Sequence, residues 1–262
     1  MQIRMTLVCG LVIAATACNS DRSYSPPGTV LTDARVSEDV AVTAGMAAAA
    51  SISDQAQYLD DAGAAPACTY AATAGLWTCA PYVNSQRLTV ARSYAYFDQS
   101  GHPMQSYDSL TTERIEYKSK SDGAIGDGTM VIGMTHRSGE QTLSGLLGSE
   151  TTRVWDGAGV SADTTSYNDA SGTRRYAGVQ LDSVKKVSYA QPRKPGSYPL
   201  SGEVVRIANY LVTAVGAGSE TRSVSRTIVT TFNGTRTVPI RLGAISCTLH
   251  LDTRAVDGCS GR

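Results

Sequence analysis

The sequence predicts an all-β chain: a single large antiparallel meander, built as a curved sheet or half-barrel and preceded by one short N-terminal helix. Three observations carry this. From Cys68 onward apolar residues alternate with Thr, Ser and Arg, the period of strands with one buried and one wet face. Turn residues punctuate the same stretch roughly every 8–14 residues. No interior segment after Tyr58 carries a helical period.

Taken in order, the chain opens with Arg4 as a short positive region and Leu7 to Ala14 as an apolar run of signal-peptide rather than membrane-spanning length. Ala15-Thr16-Ala17 then stands directly before Cys18. This pattern resembles the lipobox of bacterial lipoproteins. The resemblance implies that residues 1–17 are a signal peptide and that Cys18 is lipidated, anchoring the chain to a membrane of the cell envelope. Asn19 after that cysteine resembles a sorting signal for the outer membrane, facing the periplasm or the surface. Residues 18–35 form a polar tether containing Ser25-Pro26-Pro27-Gly28.

A helical segment is expected over 36–66, with the helix itself at about 38–61. Ser37 is placed as its N-cap, Glu38 and Asp39 fall in the first turn, and Gly63 and Pro66 follow its end. It is only weakly amphipathic, with Val36, Val40, Ala44, Ala47, Ser51 and Tyr58 near one face.

Residues 67–262 form the β-domain. Leu88 to Tyr96 and Ile115 to Lys118 read as strands, and Ser121 to Gly128 as a Gly-rich loop. Met130 to Met134 reads as a strand broken at Ser138-Gly139. Later runs are separated at Asp156-Gly157, at 168–172 and at Lys194-Pro195-Gly196. Asn233-Gly234 is the clearest type I′ hairpin signal. A single curved sheet is favoured over a sandwich because it buries one face of every strand. Thr, Arg and Ser on the outer positions argue against a membrane-spanning barrel.

Cys68, Cys79, Cys247 and Cys259 remain once the leader and the lipid site are set aside. In an exported chain they are expected to form disulfides, with the local pairing Cys68–Cys79 and Cys247–Cys259, because each pair brackets a short segment with turn residues. Close C-x-x-C pairs are missing, which disfavours zinc.

Lys and Arg number 23, as do Asp and Glu, so the formal net charge is zero and no basic block occurs. A nucleic-acid partner is not expected. His102, His136 and His250 are too scattered to argue a metal, and no cofactor is implied. The elbow G-x-S-x-G is absent. Ser183-Val184-Lys185-Lys186 matches S-x-x-K but lies in a strand-like run. No catalytic residue is assigned, and a non-enzymatic role is expected.

The expectation for function is therefore a lipid-anchored envelope protein whose concave face holds an amphipathic or hydrophobic ligand, in the manner of periplasmic lipoprotein carriers, which it resembles in architecture only. The lining would include Val90, Tyr94, Ile115, Tyr117, Ile132, Ile207, Leu211 and Phe232. The alternative is a structural or protein-interaction lipoprotein with a packed core. Thirteen Tyr against two Phe suit a cleft wall, though half-exposed sheet positions explain the same count.

Overall fold

The computed structural model describes residues 31–60, 68–84, 87–126, 130–169, 172–194, 196–215 and 219–261. Cys18 and the leader, which carry the expected lipid anchor, lie outside the described residues. Helix α1 spans Asp33–Asp60. The strands are β1 (Cys68–Ala71), β2 (Leu76–Cys79), β3 (Tyr82–Val83), β4 (Thr89–Asp98) and β5 (Pro103–Met104). Then follow β6 (Thr112–Gly126), β7 (Met130–Ser144), β8 (Thr152–Asp169), β9 (Gly172–Ala190) and β10 (Ser201–Val215). The chain ends with β11 (Thr221–Thr231), β12 (Thr237–Leu242), β13 (Ile245–His250) and β14 (Val256–Ser260). All fourteen belong to one antiparallel sheet, curved and not closed, in the order β1-β2-β4-β6-β7-β8-β9-β10-β11-β12-β13-β14, with β3 and β5 paired to β4. The meander is the one expected from the alternating pattern.

The strands in the middle are longer than the turn residues imply. β6 to β10 run for 15 to 19 residues. Ser121 to Gly126 belongs to β6, and the expected breaks at Ser138-Gly139 and Asp156-Gly157 lie inside β7 and β8. These glycines mark close backbone approach rather than chain reversal. A Cβ on Gly157 would sit 2.4 Å from the Glu140 carbonyl oxygen, and one on Gly178 2.0 Å from that of Asn209. One extra residue is absorbed in β9, where Trp155 pairs with Val187 but Gly157 with Val184. Lys186 takes φ +48° in this bulge, so it and Lys185 both stay exposed.

The Asn233-Gly234 corner is also longer than a two-residue turn, because β11 ends at Thr231 and β12 begins at Thr237. Only Gly234 takes a positive φ there, +80°, whereas a type I′ turn needs two such residues. The Asn233 side chain closes the loop, accepting from the Thr235 amide at 3.1 Å and its hydroxyl at 2.7 Å.

Helix α1 begins earlier than expected. Thr32, not Ser37, caps it: Thr32 Oγ1 accepts from the Arg35 amide at 3.2 Å, with Asp33 in the first turn. Ser37 lies inside the helix, buried, and accepts from Arg226 Nε at 3.3 Å. Val36, Val40, Ala41, Ala44, Ala48, Ala49 and Ile52 join the same core as Tyr117, Trp155, Val187, Tyr210, Ile228, Ile240 and Leu249 of the sheet. Between Val36 and Gln55 few positions reach solvent. That explains the weak amphipathicity, since a helix seated in a trough needs no polar face. Small residues permit the close seat: a Cβ on Gly45 would come 2.5 Å from Val256 Cγ2 and 2.8 Å from Ile240 Cδ1. Each fully buried Val or Ile contributes about 1.5–3 kcal/mol.

Both free edges of the sheet are stapled. Cys68 and Cys79, directly opposite each other on β1 and β2, form one disulfide, and Cys247 and Cys259 tie β13 to β14. The two bridges are those expected from the spacing. With outer strands of only four and five residues, they leave little free edge for pairing with another chain.

Candidate functional site

Side-chain parity decides what the concave face presents to α1. One transverse row runs Arg92, Ser119, Gly139, Gly159, Asp182, Arg206, Ile228 across seven strands. The next runs Val90, Ser121, Arg137, Ser161, Gln180, Ala208, Arg226. The centre of the face is thus polar and, at Gly139 and Gly159, bare. Apolar and aromatic residues fill the flanks.

Where the face is bare, α1 bridges a hollow of about 110 Å³. Ala47, Ala48, Ser51 and Asp54 form its roof, while Ser119, Gly139 and Gly159 form its floor. Its walls are Arg137, Ser161, Asp182 and Arg206 on one side and Val184 and Val204 on another. Arg206 is buried and grips Asp182 with two bonds, Nε to Oδ1 at 2.7 Å and Nη2 to Oδ2 at 2.6 Å. Burial alone would lower the Arg206 pKa, but Asp182 outweighs it and holds it above its ordinary value. Arg137 donates through Nε to Thr135 Oγ1 at 3.0 Å. Its own pKa is lowered by burial, against the opposing pull of Asp163. Asp163 in turn accepts from the Thr135 and Ser161 hydroxyls.

Asp54 faces these groups from the helix. Burial pushes its carboxyl up to about 6, against the stabilising charges of Arg137 and Arg254.

The two ends of α1 are fastened by different chemistry. At its start Asp39 receives Arg174 Nε at 2.6 Å, Arg174 Nη2 at 3.1 Å and the Tyr176 hydroxyl at 2.6 Å. Tyr167 Oη lies 2.6 Å from Thr43 Oγ1 and 2.8 Å from the Asp39 carbonyl oxygen. Burial raises the pKa of both tyrosines. At the other end Gln55 donates to Gln141 Oε1 at 3.4 Å and accepts from Tyr189 Oη at 3.3 Å, a looser fastening.

Five of the eight expected lining residues lie on the inner face. Val90, Ile115, Tyr117 and Phe232 are buried there, and Tyr94 is half-buried within an aromatic group that includes Tyr117 at 5.9 Å and Trp77 at 6.1 Å. They build the packed core, and none of them lines the hollow. Ile132 lies in β7, and its side chain is outside the described residues.

Ile207 and Leu211 are corrections. They are 41% and 50% exposed on the convex face, because Arg206, Ala208, Tyr210 and Val212 take the inward positions of β10. Reading the apolar Ile207 and Leu211 as inward misplaces them, since this strand carries apolar residues on both parities. The same effect hid the hollow. Arg137, Asp182 and Arg206 look like wet-face residues in sequence, and the detectable signal was their shared parity with Ser161, Gln180 and Ala208. Tyr117, Tyr167, Tyr176, Tyr189 and Tyr210 are buried rather than half-exposed, and the hydroxyls of Tyr167 and Tyr176 donate to Asp39 and that of Tyr189 to Gln55 of α1.

His136 pairs with Asp122 on the convex face and His250 with Asp257 near the β14 edge. Among the described residues no cluster of three or more His, Cys, Asp or Glu is able to hold a metal ion, and no helix is long and apolar enough to cross a membrane. No protein-family model matches the chain, and neither a curated protein nor a solved structure shows significant similarity to it.

Proposed function

We propose that this is a lipid-anchored envelope protein with a binding rather than a catalytic role, holding a small amphipathic ligand between α1 and the concave face of its sheet. The observation that carries this reading is the hollow itself: apolar at Ala47, Ala48, Val184 and Val204, and polar at Arg137, Asp182, Arg206 and Asp54. A ligand with an apolar body and a polar end matches that division. At about 110 Å³ the hollow takes a head group or a compact molecule as it stands. An acyl chain requires α1 to lift, and the looser fastening at Gln55 makes that end the one to lift. The carboxylates on the sheet side support binding over catalysis, because Asp182 and Asp163 are committed to Arg206 and to Thr135 and Ser161.

Native mass spectrometry of residues 19–262, exported to a bacterial periplasm and purified without detergent, tests the reading. Non-covalent adducts that are lost when Val204 is replaced by Trp are the expected result. A clean mass for wild type, with the trough fully occupied by α1 alone, overturns it.

A second reading has its own observation. Val160, Leu181 and Ile207 form a continuous exposed row over β8, β9 and β10, flanked by Val179 and Leu211. The surrounding outward positions, from Ala158 to Thr164, Ala177 to Ser183 and Val205 to Thr213, carry no charge. Depletion of charge marks the centre of protein interfaces, which favours an interaction role for this convex face. Replacing Leu181 and Ile207 by Lys abolishes a partner complex on this reading and leaves the adducts of the first untouched.

A further inference from the structure

The buried donors around the hollow outnumber the acceptors that meet them. Arg206, 5% exposed, spends Nε and Nη2 on Asp182, and its Nη1 is buried without a partner. Gln180 is fully buried beside it, two residues from Asp182 on the same face of β9. Its Oε1 accepts from Ser161 Oγ at 2.6 Å, and its Nε2 is buried without a partner. Both orphaned groups are N–H donors, and leaving such a donor unmet in the interior is costly. Arg137 stands next to them in the row that contains Gln180, tied through Nε alone to Thr135. Between these side chains the floor has no Cβ at Gly139 or Gly159. A Cβ there would meet only neighbouring strand backbone, at 3.2 Å and 3.1 Å, and would project into the hollow.

We propose that this hollow is an oxyanion site, in which a carboxylate or phosphate group lies over the Gly139–Gly159 floor and accepts from Arg206 and Arg137, with Gln180 behind Ser161 as a further buried donor outside the lining. The proposal rests on the reading of the hollow as a ligand site and names the chemistry of the polar end. Guanidinium groups suit it because they present planar, paired donors to such oxygens. The hydroxyls of Ser51 and Ser119 border the same space and add neutral donors.

Asp54 sets the sign of a control that a structural role does not mimic. It faces the hollow from α1, opposite Arg137, Arg206, Asp182 and Asp163 of the sheet and near Arg254 of the turn before β14. Its negative charge opposes a bound anion when ionised and not when protonated. At pH 7.5 Asp54→Asn therefore tightens anion binding, and at pH 5, where Asp54 is already protonated, it changes that binding little.

The test is isothermal titration of the purified full chain with inorganic phosphate, with acetate and with a short-chain phosphatidic acid, at pH 5 and pH 7.5. Binding of phosphate or acetate that weakens about tenfold or more in Arg137→Gln and tightens about threefold or more at pH 7.5 in Asp54→Asn is the expected result. Thermal unfolding of both variants reports whether they fold. Phosphatidic acid binding at least tenfold tighter than phosphate assigns the group to a lipid headgroup, and equal binding assigns it to the free anion. Adducts in native mass spectrometry that carry no acidic group, with no response to any of the three probes, overturn the oxyanion assignment and keep the ligand site. Anion binding unaffected by Arg137→Gln places the anion elsewhere and also overturns it. No adducts and no anion binding remove both readings.

Discussion

Asp39 of α1 and Arg174 of β9, 135 residues apart, form a two-pronged ion pair with both side chains almost wholly buried, at 7% and 1% exposure. The pair joins the helix to the sheet, and Tyr176 completes the set of donors to the carboxylate. Arg174 continues to Asp169, which also receives Arg35, so four charges fasten the start of α1 to the β8–β9 hairpin. In Asp39→Asn the guanidinium loses its buried counter-charge and keeps the partly exposed Asp169. A loss of about 3–5 kcal/mol in urea unfolding is expected, the range for breaking one side of a buried pair. Glu38→Gln, which removes an exposed partner of Arg35, is expected to stay within about 0.5 kcal/mol.

Stability is expected to fall as pH rises through the titration of Asp54. Its carboxyl titrates at about 6 in the fold against 3.8 unperturbed, so between these values the native state holds the proton that the unfolded state has released. The cost develops across that window and persists above pH 6. Its ceiling is about 2–3 kcal/mol, reduced by the partial exposure of the side chain. Asp54→Asn therefore stabilises the protein at pH 7.5 and has little effect at pH 4, as read by thermal unfolding at both values. An equal effect at the two pH values contradicts the assignment.

Much of the fold was legible because period-2 alternation survives in Leu88 to Tyr96, Ile115 to Lys118 and Cys247 to Leu251, and because the spacing of the cysteines favours the local pairing. What was not legible follows from curvature. Where strands approach closely, Gly139 and Gly157 sit mid-strand, and in sequence they read as turns. The hollow was hidden for a related reason. A helix of small residues leaves room beneath it for Arg137, Asp182 and Arg206, so charged side chains occupy inward positions that pattern assigns to solvent. Ile207 and Leu211 then appear inward by default. A capping signal at Ser37 was plausible locally, yet Thr32-Asp33 precedes it and starts the helix, with Thr32 capping the Arg35 amide and Arg222 and Arg226 reaching the exposed Asp33 from β11.

Each disulfide closes a short loop, with partners separated by 11 and 12 residues, and is expected to contribute about 2–3 kcal/mol. Cys247→Ser with Cys259→Ser should lower the unfolding free energy by that amount and release β14, the last edge strand. Faster aggregation, followed by light scattering, is the second expected effect, since a freed edge pairs readily.

Gly178→Ala separates close packing from turn geometry. Its Cβ would lie 2.0 Å from the Asn209 carbonyl oxygen and 2.9 Å from Tyr210 Cα, so β9 and β10 must move apart. A loss of about 3 kcal/mol or more is expected in urea unfolding. Gly196→Ala, at φ +74° with open space around it, is expected to cost about 1 kcal/mol.

Amide hydrogen exchange along residues 33–60 tests most directly that α1 fills the trough of the sheet and roofs the hollow. Slow exchange from Val40 to Gln55, comparable with the centres of β9 and β10 and faster only towards the Gln55 end, is the predicted result. In Gly45→Leu, whose side chain would meet Val256, Ile240 and Leu249, that protection should be lost while β9 and β10 keep theirs. Exchange across 33–60 in the wild-type protein as fast as in a free peptide contradicts the account.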